Sequence, residues 1–159
     1  MISWLTGTTA GKIIATFFIS MVPMIELRLG LVYGIGFGLD YWKALLAALI
    51  GNMVPVPFII IYIERIFAWL RGRYKKLDAF ISRQERRAGS KRATVEKYGP
   101  IGLLIFVAIP LPGTGAWTGS LIAALMGMDL KKAVPPIFLG VCIAAGIITA
   151  LTYGAIAII

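Results

Sequence analysis

The chain has 159 residues, 59% of them hydrophobic and 14% charged, with a mean hydropathy of +0.88, which is too little polar surface for a water-soluble domain and points to lipid as the solvent. Its net charge of +9 is concentrated, because residues 71–97 carry ten Lys or Arg against Asp78, Glu85 and Glu96, or +7 of the total. Cations gathered between apolar segments follow the positive-inside rule and argue against nucleic acid as a partner, while the lack of His and the lone Cys142 exclude a His/Cys metal site, a His-based triad and an internal disulfide.

The N-terminal MISWLTGTTAGK has neither a basic n-region nor a small-residue cleavage site, so it is not read as a signal peptide. The first apolar stretch, Lys12–Leu39, is interrupted by Pro23, Glu26, Arg28, Gly30, Gly34, Gly36 and Gly38. Continuous helix is costly there, since proline removes an intrahelical hydrogen bond and each glycine adds backbone entropy. The second stretch, Ala44–Leu70, is long enough to span, with a kink expected at Asn52, Pro55 and Pro57 and the membrane edge at Glu64 and Arg65. Ile66, Leu70, Tyr74, Leu77 and Ile81 continue a helical period into the basic linker, which is read as a solvated helix with Trp69 and Tyr74 at the headgroups. The third stretch, Pro100–Met128, is broken by Pro110, Pro112, Gly113, Gly115 and Gly119, and the fourth, Ala133–Ile159, is a plain span.

A gapless shift of 89 positions sets Pro23 on Pro112, Gly30 on Gly119, Gly38 on Gly127, Asp40 on Asp129, Lys43 on Lys132, Ala44 on Ala133 and Gly51 on Gly140. Gly-x-Asp-x-x-Lys-Ala recurring at one distance from a proline marks a duplication, with residues 12–70 and 100–159 as the units and 71–99 as the linker. Cut at its turn, each broken segment yields arms of about a dozen residues, some 16–18 Å, reaching only to mid-membrane. The expected fold is therefore an all-α integral membrane domain, an inverted repeat of two units, each a re-entrant helical hairpin plus a transmembrane helix. One crossing per unit puts the basic linker and Lys131 and Lys132 on the cytoplasmic side and both termini outside. Asp40 and Asp129 read as helix N-caps.

Glu26 and Arg28 are the strongest candidates for function, because an acid and a base inside an apolar segment are expensive unless they face a cavity or partners. A structural alternative stands beside that reading: Glu26 pairs with Arg28, or caps backbone N–H groups freed by the break. The matching PLPGTGAWTGS offers Thr114, Thr118 and Ser120 as hydroxyl ligands and Trp117, at the position of Arg28, as an amphipathic wall; its alternative is a turn with no ligand. Pro23, Pro110, Pro112, Gly113 and Gly115 shape the two turns. A helix N-terminus aimed at mid-membrane, together with Arg28, favours an anionic group such as phosphate or carboxylate, with Glu26 as proton carrier or counter-ion.

PMIELRLGLVYGIGFG and IPLPGTGAWTGSLIAALMGMD, with the basic loop between them, resemble the small multi-drug export protein family over nearly the whole chain. That family is similar to the DedA and VTT superfamily of re-entrant-hairpin proteins, some of which move polyprenyl-phosphate or phospholipid carriers. The resemblance makes Glu26 and Arg28 the charged motif of the first hairpin; the arginine common in the second DedA hairpin has no counterpart near Pro112 to Thr118. Three functions stay open: a secondary exporter of a small amphiphilic or anionic solute, with protons as the coupling ion and a homodimer as the assembly; a lipid scramblase or polyprenyl-phosphate translocase; and a non-transporting membrane scaffold. An enzyme is not expected, since no nucleophile–base pair is visible, and neither is a cofactor.

Overall fold

The computed structural model describes residues 7–23, 25–73, 75–111 and 113–158, and among these the regular elements are all helices. Pro112 and Tyr74 lie outside the described residues. The first apolar stretch forms two short helices, α1 (Thr9–Met21) and α2 (Glu26–Gly36). Thr8 starts α1 by accepting a bond from the Gly11 N–H at 3.1 Å, and the extended Val22 ends it. The second stretch forms α3 (Tyr41–Met53) and α4 (Pro55–Arg73), which run on as one 33-residue apolar helix long enough to cross a membrane. Asp40 caps α3, its carboxylate accepting from the Trp42 N–H at 3.2 Å.

The basic linker is helical. With the first arm of the third apolar stretch it makes up α5 (Lys75–Ala108), two helical pieces joined at a kink where Gly99 leaves helical angles (φ 55°, ψ −134°) just before Pro100. Gly99 supplies the left-handed backbone that the bend requires. Arg71 holds this connection by pairing with Asp78 at 3.1 Å and with Glu85. The linker is also less solvated than its charge suggests, since Ile81 is buried. After the second break come α6 (Ala116–Leu125) and α7 (Leu130–Ile158), whose Leu130–Leu151 part is the second helix long and apolar enough to span.

Backbone bonds recur at the 89-residue offset. Helix α2 ends with Gly38 N–H bonded to Ile35 O at 2.8 Å and Leu39 N–H to Gly34 O at 3.1 Å; α6 ends with Gly127 N–H to Ala124 O and Met128 N–H to Ala123 O, both at 2.9 Å. Gly38 and Gly127 both have positive φ, as this C-terminal motif demands. The next helices open alike, with Ala44 N–H on Asp40 O and Ala133 N–H on Asp129 O, each at 3.0 Å.

Helices α1, α2 and α3 pack on one another, as do α5, α6 and α7, and α4 joins the sets by packing on α6. In lipid, helices associate through close van der Waals fit rather than a hydrophobic drive, so small residues sit at the contacts. A Cβ at Gly51 would lie 2.2 Å from the Phe17 carbonyl oxygen, and one at Gly140 2.9 Å from the Leu104 carbonyl oxygen. Thr16 and Ser20 bury their hydroxyls by donating back to Lys12 O and Thr16 O, each at 2.8 Å. Leu27, Leu31, Leu103, Val107, Ile122 and Ile137 fill the common core. Phe18, Trp42, Phe58, Ile101 and Leu151 point outward, 60–66% exposed, as a lipid-facing surface allows.

The close contacts predict opposite effects for two glycines of the same long helix. Gly51→Ala forces α1 and α3 apart and should lower stability by about 1–3 kcal/mol. Gly72→Ala, with nothing near its Cβ, should raise it by up to about 1 kcal/mol through helix propensity. Thermal melts of the purified variants in one detergent check the pair, and equal melting temperatures would refute this account of the packing.

Candidate functional site

The two breaks meet, and the first caps the second. Chain direction reverses after Val22, and Ile25 and Glu26 both return their N–H groups to the Val22 carbonyl, at 3.2 and 3.1 Å. Glu26 then takes φ +50°, the one positive φ of a non-glycine among the described residues. A left-handed backbone disfavours a residue with a side chain, so tertiary contacts must hold it. The contacts are specific: buried Glu26 accepts the Trp117 N–H on Oε1 at 3.1 Å, and its carboxylate lies directly on Gly115, where a Cβ would come within 1.8 Å of Oε2.

Those partners are the start of α6. Its N-cap residue, Gly115, has no side chain to accept the free amide hydrogens of the first turn. Glu26 supplies the missing acceptor from another helix pair, at the second helical position where a capping oxygen belongs, and its charge complements the positive end of the helix dipole.

Arg28 serves the other side of the same break. Its guanidinium donates to the carbonyl oxygens of Leu111 and Thr114, to Ile109 O at 3.2 Å and to Thr114 Oγ1 at 3.0 Å. These carbonyls follow the end of α5, where intrahelical donors have run out and a cation is favoured. The Thr114 hydroxyl closes the turn, 2.5 Å from Ile109 O and 2.8 Å from Leu111 O, while accepting the Leu111 N–H at 3.2 Å. In return the Trp117 indole Nε1–H donates to Met21 O at 3.0 Å and so caps the end of α1.

The structure thus brings Glu26, Arg28, Thr114, Gly115 and Trp117 together. Pro23 and Gly113 (φ 82°) are exposed on the turns, and Pro110 and Thr118 are half-buried. The features expected to attract an anion, Arg28 and the α6 N-terminus, are engaged by the chain itself. Of the two structural roles weighed for Glu26, the observed one is the capping of freed N–H groups.

Sequence reasoning missed a groove of about 550 Å³ beside this junction. One face of α4 forms it, through Pro55, Phe58, Ile59, Tyr62, Ile63, Arg65, Ile66 and Trp69, and Trp117 closes it. The signal was present in the three- and four-residue spacing of those apolar side chains, which a lipid-facing helix also shows. Arg65, read as a membrane-edge charge, is the one formal charge on its wall among the described residues.

Residues 26–148 match the model of the family described as Putative small multi-drug export protein. The chain belongs to this family. No curated protein and no solved structure matches it. The matched span opens at Glu26 and takes in Glu26, Arg28, Thr114, Gly115 and Trp117 of the junction and the residues lining the groove. A membrane location follows from the family together with the two long apolar helices.

The capping geometry predicts that Glu26→Ala, which leaves the α6 N-terminus without an acceptor, destabilises the protein by about 1–2 kcal/mol. Glu26→Gln keeps an acceptor oxygen and should cost less. Melting curves in detergent read the order wild type, Gln, Ala; an Ala variant that melts with the wild type would remove Glu26 from the cap.

Proposed function

We propose that the protein is a secondary exporter of small amphiphilic or anionic solutes, working between two re-entrant hairpins that belong to an inverted repeat. Helices α1, α2 and α6 have 13, 11 and 10 residues. At about 1.5 Å per residue none covers the roughly 30 Å hydrocarbon core, which supports the re-entrant reading. The backbone bonds that recur at an 89-residue offset support duplication, and one full crossing per unit makes the units inverted.

The observation that carries the function is the double position of Trp117. Its amide is held by Glu26, its indole by Met21, and its side chain walls the groove. Any event that loosens Glu26 therefore moves a wall of the binding groove. Protonation is such an event, because a neutral carboxyl is a weaker acceptor than a carboxylate and no longer complements the helix dipole. In this mechanism the Glu26 contact is the latch, a proton is the coupling ion, and the apolar, aromatic groove with Arg65 receives the amphiphile. The open apolar wall facing lipid also favours a second reading, translocation of a lipid or polyprenyl phosphate, which needs no gradient.

Flux into proteoliposomes separates these readings. A fluorescent anionic amphiphile should move down an imposed pH gradient with wild-type protein, and Glu26→Gln should lose at least about tenfold of that rate, as for removal of a general acid–base group. Normal flux in both Glu26→Gln and Arg28→Ala would discard the site. Gradient-independent exchange of labelled phospholipid would move the assignment to lipid translocation, and no flux of either kind would leave a scaffold.

Topology has its own test. In a Cys142→Ser background, Lys131→Cys should react with an impermeant maleimide only from the side on which a cysteine at Arg83 reacts. Labelling from opposite sides would replace the hairpins with full spans.

A further inference from the structure

Helices α3 and α4 follow one course through Val54, which keeps helical backbone angles (φ −57°, ψ −46°) and donates to Ile50 O at 3.1 Å. Two bonds of the ladder cannot form, however. Pro55 and Pro57 have no N–H, so the carbonyls of Gly51 and Met53 lack the donors that a helix supplies four residues on. Between those two carbonyls stands Asn52, only 2% exposed. Its Oδ1 is the one fully buried side-chain polar atom without a hydrogen-bond partner among the described residues. A buried amide oxygen left unpaired is unfavourable, and leucine of similar volume would avoid the cost.

The backbone packed against this turn adds another oxygen. Gly51, buried beside Asn52, packs on the Phe17 carbonyl of α1. Carbonyl and amide oxygens suit a hard cation, and a set without a carboxylate suits a monovalent one. Carbonyls released from helices inside membranes are a known means of holding such ions.

We propose that Asn52 Oδ1 and the freed Gly51 carbonyl bind a monovalent cation, Na⁺, between α1 and α3. The site is separate from the Glu26 latch and does not depend on the export reading, since a bound ion stabilises the fold whether or not anything is carried.

Thermal unfolding of the purified protein in detergent, titrated with NaCl against choline chloride at constant ionic strength, tests this. Wild type should show a saturable rise of about 3 °C or more in sodium. Asn52→Leu should melt identically in both salts, and Asn52→Asp, which adds a negative charge, should reach half-effect at roughly tenfold less sodium. Equal melting of wild type in sodium and choline, as a site holding only water would give, overturns the proposal. So does a sodium shift that survives in Asn52→Leu. If the leucine variant does not fold, an Asn52→Asp half-point equal to that of wild type overturns it.

Discussion

A helix that ends inside a bilayer must find partners for its last carbonyls and first amides without help from water. This chain ends apolar helices at Met21 and Ala108 and begins them again at Glu26 and Ala116, breaks that the proposed hairpins set inside the membrane. The solution is exchange: Glu26 and Arg28 cap both sides of the second break, and the Trp117 indole caps the near side of the first. Packing, groove shape and proposed mechanism all depend on that exchange. It fixes where α6 begins, and the start of α6 fixes Trp117.

Close approach is the second requirement. Capping contacts of 3.0 and 3.1 Å across the junction need Gly115, where a Cβ would meet the Glu26 carboxylate, and packing within the two sets needs Gly51 and Gly140, where a Cβ would meet a carbonyl oxygen. The residues that weaken these segments as isolated helices are thus the ones that let the assembled helices touch. Energy lost within each broken helix is offset between helices.

Much of the fold was legible because it is written locally. Proline and glycine announced both breaks, Asp40 its cap, and the length of Ala44–Leu70 its span. The expense of charge in an apolar segment pointed to Glu26 and Arg28. Their partners were not legible, because a side chain's destination depends on which helices become neighbours: Arg28 was expected to await an anion and instead holds carbonyls 81 to 86 residues away. Nor could the groove be found, since a face that lines a site and a face that meets lipid carry the same residues.

The 89-residue offset gives the Glu26 contact one more meaning. Adding it to Glu26 arrives at Gly115, the residue on which its carboxylate rests. Under the proposed two-fold relation, a position that touches its own counterpart lies on the axis. Two identical units meeting there would bring two carboxylates together in a medium of low dielectric, where like charges repel strongly. Fusing the units into one chain frees the second copy to become glycine, so one acid can occupy the axis and use both sides of it. The asymmetry of charge between the halves is then a consequence of symmetry: the axis has room for a single ion.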